Sequence, residues 1–94
     1  MAIARVVSFS GVNSDRMEQM KGEMQEGDRP EEIPATEMIM LHDPEADESV
    51  AILFFETDDD YRRGDEFLSA MPAGDTPGQR TSVRKYDVAI RMSG

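Results

Sequence analysis

The chain has 94 residues, no cysteine, and 20 acidic against 10 basic residues, a formal net charge of −10. That length makes one domain, residues 1–94, with a small core that gains from a partner subunit, and the lack of cysteine excludes disulfides and thiolate zinc sites and fits a cytoplasmic protein. The charge argues against nucleic acid, whose phosphates call for a basic footprint, and the longest apolar run, 50–55, is far too short to cross a membrane.

The first predicted element is a strand over "AIARVVSFS", 2–10, rich in β-branched and aromatic residues and ended by Gly11. It reads as the opening of the fold rather than as a signal peptide. A helix follows through "NSDRMEQMKGEMQEG". Met17, Met20 and Met24 recur at helical spacing, Asn13 or Ser14 caps the start, Asp15 suits the first turn, and Gly27 suits the end. These methionines read as core filler. Gly22, inside the helix, costs roughly 1 kcal/mol relative to alanine unless it marks a close contact.

"DRPEEIPA", 28–35, reads as a loop, and "TEMIMLH", 36–42, and "SVAILFFE", 49–56, as the two strands of a hairpin turning at "DPEADE". A second helix is predicted over 58–71, stopped by Pro72, Gly74, Pro77 and Gly78. The last strand spans 81–92, where Tyr86, Val88, Ile90 and Met92 alternate with more polar neighbours. The order β-α-β-β-α-β predicts a ferredoxin-like α+β fold, a four-stranded antiparallel sheet with two helices on one face.

The hairpin is apolar on both sides. If the hairpin pairs His42 with Ser49, Val50, Ile52 and Phe54 with Ile39 and Leu41 form one face, and Ala51, Leu53 and Phe55 with Met38, Met40 and His42 form the other; a one-residue slip would undo this. A strand apolar on both faces is usually buried on both, so a homodimer is expected, with the first group packed against a two-fold copy.

Three sequence features suggest chemistry and have simpler explanations. Asp58, Asp59 and Asp60 follow Thr57 in the [ST]-x-x-[DE] pattern that starts a helix. Successive helical side chains diverge by about 100°, so the three carboxylates cannot converge on one ion. "DPEADE" fails the calcium-loop pattern, since its sixth and twelfth positions from Asp43 hold Glu48 and Phe54. His42 is the only histidine, too few for the usual zinc or iron ligand set. No metal site and no cofactor are expected.

The element order, the two-faced hairpin, "FFET" leading into a helix and the ending "GQRTSVRKYDV" resemble the antibiotic biosynthesis monooxygenase-like proteins of the dimeric α+β barrel superfamily, in a bacterial branch. The resemblance covers nearly the whole chain. It implies a dimeric α+β barrel with a ligand pocket between the sheet and the helices. Oxygenase and haem-degrading members carry a tryptophan in a W-E-S-like segment of the third strand, where this chain has Phe55, Glu56 and Thr57. Haem degraders also carry a histidine on the second helix and an asparagine on the first strand, and this chain has neither. These departures point away from haem chemistry. The pocket residues implied are Met38, Met40, His42, Leu53, Phe55, Tyr61 and Tyr86, with the two phenols as polar handles and Arg84, on the strand face of Tyr86, able to pair with an anion. Two functions follow as expectations: binding of an apolar or aromatic small molecule without turnover, or cofactor-independent oxygenation or isomerisation of an aromatic, polyketide-like substrate.

Overall fold

The computed structural model describes residues 2–26, 33–70 and 78–92. They form β1 (Ile3–Ser10), α1 (Ser14–Glu26), β2 (Glu37–Asp43), β3 (Glu48–Phe55), α2 (Asp58–Ser69) and β4 (Gln79–Asp87). The four strands make one antiparallel sheet in the order β2-β3-β1-β4. The result is a small α+β fold compatible with the ferredoxin-like arrangement. The expected helix stop at Gly27, the first part of the 28–35 loop, and Pro72, Gly74 and Pro77 lie outside the described residues, as does the side chain of Met24. Among the described residues, no helix is long and apolar enough to cross a membrane.

Each element has a local cause. β1 ends where Gly11 takes φ +71°, a backbone region that costs other residues energy. Asn13 then caps α1, its Oδ1 accepting from the Arg16 amide at 2.8 Å. The β2–β3 turn is stitched by Asp43, whose Oδ1 accepts from the amides of Glu45 (3.1 Å) and Ala46 (3.3 Å). Thr57 caps α2 by accepting from the Asp60 amide at 3.1 Å, and the three aspartates occupy the first turn. They do not converge: Asp58 pairs with Lys85 of β4 at 3.0 Å and Asp59 with Arg62 at 3.2 Å.

Strand pairing sets the faces. His42 lies opposite Ser49, Met40 opposite Ala51 and Met38 opposite Leu53, and Leu53 lies opposite Arg5 in β1. This face carries the helices. Its core joins Val7, Phe9, Val12, Met17, Ala51, Leu53 and Phe55, with Tyr61, Phe67 and Leu68 packed against it. The opposite face holds Ile39, Leu41, Val50, Ile52 and Phe54, as well as Ala4 and Val6. It is more open, with Leu41 52% exposed, whereas Phe55 on the helix face is fully buried.

The last strand is shorter than the alternation over 81–92 predicts. It ends at Asp87, because its partner β1 begins at Ile3 and the final link is the Val88 amide to the Ala2 carbonyl, 2.9 Å. Beyond it the chain is irregular, and Ile90 and Met92 are exposed. Arg91 lies over the Phe54 ring at 4.6 Å and pairs with Glu37.

α2 docks through Gly64. A Cβ there would sit 2.6 Å from Phe55 Cε1, closer than atoms tolerate, whereas a Cβ on Gly22 would meet nothing within 4 Å. Alanine at the two positions should act with opposite sign. Gly22→Ala should stabilise by up to about 1 kcal/mol through helix propensity. Gly64→Ala should lose about 1–3 kcal/mol to overpacking despite the same propensity gain. Urea denaturation of both variants checks this.

Candidate functional site

The groove between α1 and β2 has a volume of about 310 Å³, at the lower end of the range for small-molecule sites. Met17 and Met20 form its helix wall, and Met40 and Pro44 its strand wall. Ser14, Glu18, Lys21 and His42 supply the polar groups. The residues converge for periodic reasons. Positions 17 and 20 lie on one face of a helix, and positions 40 and 42 on one face of a strand.

His42 is held at one end. Its Nε2 lies 2.9 Å from the carbonyl oxygen of Val12. A carbonyl only accepts, so Nε2 carries a proton, and in the neutral tautomer of this kind the lone pair is on Nδ1. The Val12 amide in turn donates to the Asp47 carbonyl at 2.7 Å. Both backbone groups of the fully buried Val12 are therefore satisfied by the hairpin.

The residues expected in one pocket are divided among four places. Met40 and His42 line the groove. Leu53 and Phe55 are core residues, 5% and 0% exposed, and Tyr61 stands edge-on to Phe55 at 5.6 Å between ring centroids. Met38 is exposed near the end of the edge strand. Tyr86 and Arg84 require correction. Tyr86 pairs with Ala4 and Arg84 with Val6, so both belong to the open face. There the Arg84 guanidinium lies 5.6 Å from the Tyr86 ring. Alternation along a strand identifies two faces without saying which one meets the helices; pairing with β1 decides that.

Sequence reasoning missed the roles of three residues, Met17, Met20 and Arg5. Met17 and Met20 were expected as core alone, and they also wall the groove. Arg5 is 2% exposed in the middle of β1 on the helix face. Its Nε donates to Asp65 Oδ1 at 2.9 Å, and an NH2 group reaches Ser69 Oγ at 3.5 Å. The signal was available: Arg5 falls in phase with Ile3, Val7 and Phe9, and a charge at a core position calls for a carboxylate opposite.

Tyr61 sits beside this pair. Burial pushes its phenol above the usual value, the Asp65 carboxylate adds to the rise, and Arg5 and Lys85 oppose it. The Lys85 ammonium lies 5.0 Å from the Tyr61 ring and is itself raised, chiefly by its hydrogen bond to Asp58. Among the described residues, no three His, Cys, Asp or Glu side chains group around a common ion position. No protein-family model matches the chain, and comparison with curated proteins and with solved structures gives no match.

A folded-state pKa above the unfolded one means that the folded state holds its proton more tightly. The Tyr61 contribution is therefore present below the unfolded value of 10.0 and lost as pH rises through the higher folded value. Tyr61→Phe, which has no phenol to ionise, should lose less stability over that alkaline range than the parent. Urea midpoints measured at increasing pH check this, and ultraviolet titration should show the late-ionising phenol missing from the variant.

Proposed function

We propose that this chain is a small-molecule-binding α+β protein that takes an apolar or aromatic ligand in the α1–β2 groove and works as a two-fold dimer. The observation that carries the ligand reading is the groove: a space of about 310 Å³ lined by Met17, Met20, Met40 and Pro44 together with four polar residues. Methionine side chains adapt to irregular shapes, which suits broad apolar recognition. A net charge of −10 disfavours small anions as ligands. The resemblance to antibiotic biosynthesis monooxygenase-like proteins supports the same reading and adds the barrel formed by two ferredoxin-like sheets.

The dimer rests on the open face. Ile39, Leu41, Val50, Ile52 and Phe54 lie there together, and the carboxylates of that face, Glu37, Asp43 and Glu48, stand at strand ends. Among the described residues the centre of this face thus carries no carboxylate, although the chain has 20 acidic residues. That pattern suits a second copy, because two such faces can meet without burying opposed carboxylates.

A specific observation also supports catalysis as a second reading. His42 has its Nδ1 lone pair in a groove residue, so it could serve as a general base toward an acidic C–H or O–H of an aromatic substrate. The two readings differ in outcome: a ligand recovered unchanged under air supports binding, and oxygen uptake or isomerised product supports catalysis.

Light scattering should give about twice the chain mass of 10.5 kDa. Leu41→Asp should give a folded monomer, since Leu41 is 52% exposed in the single chain. A monomeric parent protein would remove the dimer. Fluorescence titration with a flat apolar dye tests the groove. Leu53 is core, so the filling substitution belongs at Met40: Met40→Trp should abolish dye binding while leaving the thermal transition intact. Undiminished dye binding would place the ligand elsewhere.

A further inference from the structure

The geometry points to a second capacity of the α1–β2 groove: a thioether–imidazole site for a soft monovalent cation, Cu(I), formed by Met17, Met20, Met40 and His42. All four residues line the same groove, two from consecutive turns of α1 and two from alternate positions of β2. Thioether sulfur is a soft donor that selects Cu(I) over zinc, magnesium or calcium, and imidazole suits copper. A single histidine is too few for the nitrogen, oxygen or thiolate ligand sets of zinc. A site built on methionine needs no second histidine.

Two features prepare the donors. The first is the orientation of His42. Histidines that bind metals typically donate their other ring N–H to a backbone carbonyl or a carboxylate, which fixes the tautomer and the ring. His42 does this toward Val12 at 2.9 Å, leaving Nδ1 as the donor atom. The second is Met40. Its sulfur lies 3.1 Å from Ser49 Oγ, but that hydroxyl has one proton and lies closer to the Leu41 carbonyl, at 2.7 Å. The carbonyl is the stronger acceptor, so the sulfur keeps its lone pairs.

Glu18 is engaged by Lys21 at 3.3 Å, which also balances the ammonium charge. The net charge of −10 attracts a cation toward the surface. The groove is larger than one ion, and methionine, unbranched with three rotatable bonds, is the side chain best able to adjust around it.

The test uses the full chain and Ag(I), a redox-inert analogue of Cu(I), added as nitrate in chloride-free buffer. Methyl NMR should show the signals of Met17, Met20 and Met40 moving among the eight methionines, together with the His42 ring. His42→Gln keeps an N–H for the Val12 carbonyl but lacks the imidazole nitrogen. Met40→Leu keeps an apolar wall but lacks the sulfur. Each should weaken Ag(I) binding by about tenfold or more, with the fold checked by circular dichroism. Equal response of all eight methionines, or unchanged affinity in the two variants, would overturn the site. Dye binding separates this outcome from that of the apolar-ligand reading: Met40→Leu should keep the dye while losing the ion.

Discussion

The placement of α2 on the sheet depends on one close contact, the bare backbone of Gly64 against the ring of Phe55. A fully buried phenylalanine contributes roughly 1.5–3 kcal/mol through burial alone, and the contact brings the helix near enough for Arg5 to reach Asp65. The ion pair is asymmetric. Arg5 is buried, whereas the Asp65 side chain is 38% exposed. Removing Asp65 would strand a buried guanidinium; removing Arg5 would leave a carboxylate that water can reach. The pair therefore specifies where α2 sits more than it adds stability, since a buried charge must first recover its desolvation cost.

The acidic excess is distributed by the same logic. Asp58, Asp59 and Asp60 complement the amide end of α2, and Asp43 holds the hairpin turn. Such sites use a carboxylate where backbone N–H groups lack partners. The carboxylates of the open face stand at the ends of its strands, leaving apolar residues between them. Association through that face would bring two chains of charge −10 together. Added salt screens that repulsion and leaves apolar burial intact, so the proposed dimer should tighten as ionic strength rises.

Much of this fold was legible because its signals are local. The period of β3, the cap at Thr57, the turn at Asp43 and the pairing of His42 with Ser49 depend on residues close in sequence. What could not be read depends on distant partners. The face of Tyr86 is fixed by Ala4, near the other end of the chain, and β4 carries an irregularity opposite Ser8 and Phe9. The strand ends at Asp87, where its pairing with Ile3 ends, although the alternation of Val88, Ile90 and Met92 continues. The groove belongs to the same class. Met17 and Met20 have the spacing of core residues, and only the position of α1 beside the edge strand makes them walls as well.

That position is itself secured at Val12. Its amide is held by Asp47 and its carbonyl by His42, so the hairpin grips the backbone just before α1 begins. One wall of the groove is α1 and the other is β2, and this grip ties them together at one end. Their spacing there is a property of the fold before any ligand arrives, and a preformed site avoids part of the ordering cost of binding. His42 thus serves the structure through Nε2, and Nδ1 is the ring nitrogen on which the proposed roles of His42 depend. Replacing it by a residue without an N–H donor would combine two losses, a loosened wall and a missing donor atom. A glutamine at the same position separates them, because it can retain the hydrogen bond to Val12 while removing the imidazole.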